Sequence, residues 1–113
     1  MKLWLDDLRP APDDSWTPVT TPSAAIALLE AGEVESISFD HDLGFEDGTE
    51  LEQPKELSGY QVVLWIEEAV ALRRFDPPEM FVHSANPPGH ERLLRGIEAI
   101  KRRASDGATR SDG

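Results

Sequence analysis

The chain has no cysteine, no long apolar run and, over its first seventy residues, very few basic side chains. Without cysteine there is neither a disulfide framework nor a thiolate zinc site, and a cytosolic protein is the natural expectation. No apolar stretch approaches the length a bilayer crossing needs, and the N-terminus lacks the basic, apolar, small-residue order of a secretory signal, so no membrane partner is expected. The formal charge of -11 is lopsided: residues 1–70 carry 16 acids against 3 bases, whereas residues 71–113 carry 6 against 8. An acidic body repels nucleic-acid phosphates, which excludes an extended nucleic-acid surface and confines any phosphate chemistry to a local site. What is present is 113 residues with 39% apolar content, enough for one domain around one core.

The periodicity alternates between strand and helix. Lys2 to Leu5 reads as a buried strand, and the following Arg9-Pro10-Ala11-Pro12-Asp13-Asp14-Ser15 opposes regular structure. Trp16 to Thr20 reads as a second strand, at a sheet edge because of Pro18. Thr21 as N-cap and Pro22 in the first turn start a helix through Glu30, with Ala25, Ile26 and Leu29 on one face and Gly32 as the stop. Val34 to Asp40 is the third strand, and residues 45–57 read as an acidic loop without periodicity. Ser58-Gly59-Tyr60-Gln61 forms a capping box for a helix to about Arg73, with Val62, Ile66, Ala69 and Val70 inward. Met80 to Ala85 is the fourth strand. Asn86-Pro87-Pro88-Gly89 then turns into a last helix carrying Leu93, Leu94, Ile97 and Ile100. These make one domain over residues 1–103, with 104–113 as a disordered tail.

Strands alternating with helices imply a parallel sheet with right-handed crossovers, and such sheets bind ligands beyond the carboxyl ends of their strands. Two of those ends are acidic: Leu3-Trp4-Leu5-Asp6-Asp7 and Ile37-Ser38-Phe39-Asp40-His41-Asp42. Four carboxylates at neighbouring strand ends repel one another unless a cation or a proton holds them. An all-oxygen donor set of Asp6, Asp7, Asp40 and Asp42 suits Mg²⁺ or Mn²⁺, which keep open positions for substrate phosphate. Which of Asp40 and Asp42 reaches the metal is left open by the alternation of a strand. The same sheet edge collects Ser84 and Asn86, as donors to phosphate oxygens or as turn formers before Pro87, and Arg9, as a phosphate clamp or a neutraliser of Asp6 and Asp7. His41 and His83 are candidate acids or bases, or packed strand-end residues, and His90 reads as surface.

Taken together, Leu5-Asp6-Asp7-Leu8-Arg9-Pro10, Ser38-Phe39-Asp40-His41-Asp42-Leu43-Gly44, Ser58-Gly59-Tyr60 and His83-Ser84-Ala85-Asn86-Pro87-Pro88-Gly89 resemble the cyclic-phosphate processing receiver-like family, a relative of response-regulator receiver domains, over about residues 2 to 100. The resemblance implies an α/β, flavodoxin-like three-layer fold, truncated to a four-stranded parallel sheet with a reduced first helix and no fifth strand. It implies processing of cyclic phosphates, including RNA ends in repair or conflict systems. By the same resemblance Asp6 and Asp7 hold Mg²⁺, Asp40 matches the phospho-accepting position and Ser84 contacts the phosphoryl group. The chain departs from ordinary receivers where a fifth strand would carry a lysine, and Lys101, in a helical Arg-rich context, is a poor substitute. That departure argues against a phosphorylation switch. Two functions follow as expectations: a divalent-metal-dependent phosphohydrolase or phosphodiesterase, with Asp40, His41, His83 and Ser84 as catalytic candidates and Arg9, Ser84 and Asn86 binding substrate, or a non-catalytic degenerate receiver that docks a partner. The expected partners are a phosphate-bearing small molecule or RNA end, and the chain is a monomer or weak homodimer through exposed sheet edges. The last helix, with Arg92, Arg95, Lys101, Arg102 and Arg103, either touches RNA or balances the acidic body.

Overall fold

The computed structural model of the chain describes residues 1–46, 55–73 and 75–111, with the side chains of residues 42, 44–46, 55–56 and 106–111 excepted. In chain order the elements are β1 (Lys2–Leu5), β2 (Trp16–Val19), α1 (Pro22–Glu30), β3 (Ser36–Phe39), β4 (Asp42–Glu46), β5 (Lys55–Ser58), α2 (Gly59–Arg73), β6 (Glu79–Val82) and α3 (Pro87–Ser111). Four strands form one parallel sheet in the order β2-β1-β3-β6, with the Pro18 strand at its edge. Among the described residues no helix is long and apolar enough to cross a membrane.

The register places Leu3 beside Ile37 and Leu5 beside Phe39, with Met80 and Val82 next in line. Alternate residues of a strand face opposite ways, so these six share one face. That face meets Ala25 and Leu29 of α1, Val62, Val63 and Ile66 of α2, and Leu93, Ile97 and Ile100 of α3 in a single core. All three helices therefore lie on one side. The crossovers explain why: β2 to β3 and β3 to β6 step across the sheet in the same direction, and right-handed connections then put α1 and α2 on the same face. The truncated receiver-like fold is present, but the three-layer expectation is corrected to two layers, because the stretch between β1 and β2 carries Pro10 and Pro12 instead of a helix. The opposite face shows Trp4, Trp16, Pro18, Ser38 and Phe81, with Phe81 45% exposed.

Local chemistry accounts for the helix ends. Thr21 Oγ1 accepts from the Ala24 amide at 3.2 Å, Pro22 opens α1, and Gly32 adopts φ +77° after its last turn, a left-handed conformation that costs glycine least. At α2, Gln61 Oε1 accepts from the Ser58 amide at 3.1 Å while Ser58 Oγ accepts from the Tyr60 amide at 3.1 Å. Val63 joins the inward face of α2, and Gly96 of α3 sits against its side chain. Leu94 is 45% exposed, contrary to expectation, since it lies about 100° around the helix from the Leu93, Ile97 and Ile100 stripe.

Two further differences concern segments read as irregular. The stretch after His41 is not simply a loop: β4 and β5 pair antiparallel, with Asp42 opposite Ser58 and Glu46 opposite Lys55, and Leu43 buried in the core anchors the pair. Residues 47–54 of that expected loop lie outside the described residues. Helix α3 continues to Ser111, into the segment expected as a disordered tail, where Ala104 and Ala108 have high helix propensity.

Candidate metal centre

The backbone ladder of the sheet continues one residue past its strands. The Asp6 amide donates to Val19 O at 3.1 Å, the Asp40 amide to Leu5 O at 2.9 Å and the His83 amide to Phe39 O at 3.0 Å. Asp6, Asp40 and His83 are thus level at the carboxyl edge, around the point where chain order reverses between β1 and β3. One carboxylate oxygen from each of Asp6, Asp7 and Asp40 lies within 4.8 Å of the others. Asp42 falls in β4, after the chain has left the parallel sheet at His41, and its side chain lies outside the described residues.

Asp6 is the most constrained of the three, with 4% of its surface exposed. Its Oδ1 accepts from the Leu8 amide at 2.8 Å and the Arg9 amide at 2.9 Å, and its Oδ2 meets His83 Nε2 at 3.1 Å. Burial raises the Asp6 carboxyl, but the amides of Arg9 and Leu8 and the contact with His83 together outweigh it, and the carboxyl settles below its ordinary value. Asp40 behaves oppositely. Burial and the nearby Asp6 charge push it above its ordinary value, against the opposing pull of the His41 amide, His83 and Arg9.

His83 is held on every side. Its Nδ1 lies 2.7 Å from Ser38 Oγ, and its ring stacks on Trp4 with centroids 3.7 Å apart and planes 7° from parallel. A carboxylate only accepts, so Nε2 carries the proton toward Asp6 and Nδ1 accepts the Ser38 hydroxyl. Ser38 is 3% exposed in a central strand, which makes it a support for the imidazole and not a nucleophile. Neither Ser38 nor Trp4 stood out as a site residue in the sequence. The available signal was a serine on a strand buried on both faces, since such a hydroxyl needs a partner.

The remaining candidates surround this cluster. Arg9 donates from Nη1 to His83 O at 3.1 Å, bracing the end of β6, and its own carbonyl accepts from Trp4 Nε1 at 3.0 Å. Ser84 and Asn86 are joined in the turn that caps α3: Ser84 Oγ accepts from the Asn86 amide at 3.2 Å and Asn86 Oδ1 from the Gly89 amide at 3.2 Å. Pro87 and Pro88 have no N–H to offer, so the start of α3 presents fewer donors to an anion than a usual helix N-terminus. His41 packs against Gly89. His90, expected as plain surface, is half-buried with Nδ1 3.4 Å from Ser84 O.

The donor set fits a hard divalent cation. It is all oxygen, and Asp7 Oδ1 is buried without a hydrogen-bond partner among the described residues, a costly state that a cation relieves. The supporting imidazole has its own signature. Burial pushes His83 below 6.5, against the hydrogen bond and charge of Asp6 and the charge of Asp40, with Arg9 adding to the fall. The folded chain keeps His83 neutral while the unfolded chain protonates it near 6.5, so stability is full above that value and is lost as the pH falls through the folded pKa. Asp40 contributes with the opposite sign, gaining stability as the pH falls toward its raised value. Urea denaturation in EDTA at about pH 7.5 and about pH 5.5 separates the two: the loss carried by His83 should vanish in His83→Gln, and a pH difference identical in both proteins would refute the neutral, buried imidazole.

A family model described as the cyclic-phosphate processing receiver domain matches residues 1–99 of the chain. No curated protein and no solved structure matches it.

Proposed function

The chain belongs to the cyclic-phosphate processing receiver domain family, and on that premise we propose that it is a divalent-metal-dependent phosphohydrolase that opens a cyclic phosphate or cleaves a phosphodiester. The observation that carries this reading is the meeting of Asp6, Asp7 and Asp40 at one sheet edge, with a buried oxygen of Asp7 left without a partner. These three would hold Mg²⁺ or Mn²⁺, and the bound ion would supply positive charge to the phosphoryl oxygens.

The chain's own residues do the rest. Two backbone amides and His83 fix the Asp6 carboxylate, so its orientation is set before any ligand arrives. With both ring nitrogens engaged, His83 serves as a positioning residue and not as the proton carrier. Asp40, through a carboxylate oxygen that the cation leaves free, would accept the proton of the attacking water as that water adds to phosphorus. One ester P–O bond breaks, and the departing oxygen ends as a hydroxyl. His41, beside Asp40 in sequence, would supply the proton of that hydroxyl, and the proton taken up by Asp40 is released to solvent. The hydroxyl of Ser84, the Asn86 side chain and the exposed guanidinium of Arg9 bind phosphoryl oxygens at the rim.

The test is incubation of the purified protein with nucleoside 2′,3′-cyclic phosphates or cyclic-ended RNA in Mg²⁺ or Mn²⁺. Turnover is expected to fall at least about 100-fold in Asp40→Asn, the scale on which general acid-base groups act. Absence of turnover above that variant, across both metals and all substrates, refutes hydrolysis. A stable adduct from acetyl phosphate, seen by intact mass and lost in Asp40→Asn, would instead assign the chain to the docking role of a degenerate receiver.

A further inference from the structure

The basic residues of the last helix have two readings, contact with RNA or neutralisation of an acidic body, and the structure divides them individually. Arg103 pairs with Glu67 at 3.1 Å and Arg95 with Glu91 at 3.4 Å. Arg92 does neither. Among the described residues no carboxylate pairs with it, and its guanidinium lies 4.0 Å from the centroid of the Tyr60 ring. In a chain of formal charge -11 this is an uncompensated cation on an aromatic face.

That stacked pair walls an open groove of about 490 Å³, completed by Pro88, Glu91 and Arg95. Its two walls both begin one residue from the strand end that carries Asp40. Tyr60 follows Gly59, whose amide donates to His41 O at 3.0 Å, and Pro88 precedes Gly89, which presses on the His41 ring. The groove therefore begins beside the backbone at the end of β3, where Asp40 and His41 stand.

We propose that this groove is a nucleobase platform: a planar base stacks on the outer face of the Arg92 guanidinium, which the Tyr60 ring backs, while the phosphate it carries reaches toward the aspartate cluster. The inference rests on the phosphate-processing reading of that cluster and narrows its substrate class to nucleotides. Guanidinium and phenol planes both stack on bases, and they do so without regard to sequence. Among the described residues lining the groove, Arg95 is paired to Glu91 and Arg92 is not, and one unpaired cation there attracts one phosphate-bearing unit and not a long strand. This suits a mononucleotide or the last residue of an RNA end, and it agrees with the acidity of the rest of the chain.

The experiment compares adenosine 2′,3′-cyclic monophosphate, glycerol 1,2-cyclic phosphate and adenosine, with binding followed by NMR titration without metal and turnover measured separately with Mg²⁺. The nucleotide is expected to bind about tenfold more tightly than the base-free cyclic phosphate, from stacking of one base. Arg92→Gln and Tyr60→Leu should erase that preference, and Tyr60→Phe should keep it. Should Tyr60→Leu fail to fold, Arg92→Gln decides alone, because its side chain is exposed. Equal affinity for the two cyclic phosphates, no binding of either adenosine compound, or a preference that survives Arg92→Gln overturns the platform. Base preference that depends on Arg92 without any turnover supports the platform and removes the hydrolase reading. Equal turnover of both cyclic phosphates with no base preference does the reverse.

Discussion

Asp6→Asn and Asp40→Asn are expected to move the metal-free protein in opposite directions and to abolish the same metal response. Asp6 accepts from two backbone amides and from His83 Nε2. An asparagine can keep Oδ1 on the amides, but its NH₂ then faces Nε2, so the imidazole must shift its proton to Nδ1 and reverse the Ser38 bond, and the hydrogen bonds to a charged carboxylate are lost, at a cost of about 1–3 kcal/mol. Asp40 is raised by burial and by Asp6, so its charge destabilises the apo fold at neutral pH. Removing that charge should therefore stabilise the apo protein. In the parent chain, Mg²⁺ or Mn²⁺ at about 100-fold above its Kd should add about 2.7 kcal/mol. For a domain of this size that is a rise in Tm of roughly 10–20 °C. Both variants should lose most of that rise. Thermal scans in EDTA and in millimolar metal read all of this directly, and a parent Tm indifferent to both metals would refute the shared cation site.

The opposite signs expected for Asp6 and Asp40 show which features of the site could be read from sequence. Both acids stood out because apolar runs ended in them, and a strand's carboxyl end is where a parallel sheet exposes such residues. α1 was equally legible, since Thr21, Pro22 and Gly32 specify its ends by local chemistry. What sequence patterning could not separate depended on contacts distant along the chain. Asp6 and His83 meet only because β1 and β6 flank β3, and nothing near Ser38 announces that its hydroxyl supports an imidazole 45 residues away. The β4 and β5 pair reads as loop in the sequence because its strands are short, interrupted by Gly44 and stabilised by each other. The single-sided helix layer followed from the direction of two crossovers, a property of strand order that periodicity does not encode. Leu94 reads as apolar and inward, and only the neighbouring Leu93 stripe excludes it.

Gly59→Ala is expected to be among the most damaging single-methyl changes in the chain, and its effect should reach the metal site. A Cβ added at Gly59 would stand 2.0 Å from the Asp40 carbonyl oxygen and 3.1 Å from its carbonyl carbon. Those are backbone atoms, so no side-chain rotation relieves the clash. Either α2 must retreat, loosening the buried Val62, Val63 and Ile66, or the end of β3 must shift within a sheet that pairs on both its edges. Overpacking of this kind costs about 1–3 kcal/mol and occasionally more, and with only backbone to yield about 3 kcal/mol or more is expected here. Gly32→Ala provides the contrast: it meets nothing within 4 Å and is strained only by φ +77°, which costs roughly 1–2 kcal/mol. Gly89→Ala is intermediate, because it meets side-chain and not backbone atoms: the His41 ring can rotate, while His41 Cβ, 2.8 Å away, must shift with its backbone. Urea denaturation of the three variants should rank them in that order, with Gly59→Ala the least stable. Equal losses for Gly59→Ala and Gly32→Ala would show that α2 does not press on Asp40 as closely as the structure has it. Since the displaced atoms belong to Asp40 itself, Gly59→Ala should also weaken the Mg²⁺-induced rise in Tm while leaving all three carboxylates in place. A loss of metal response without loss of a ligand is what geometric positioning by α2 requires.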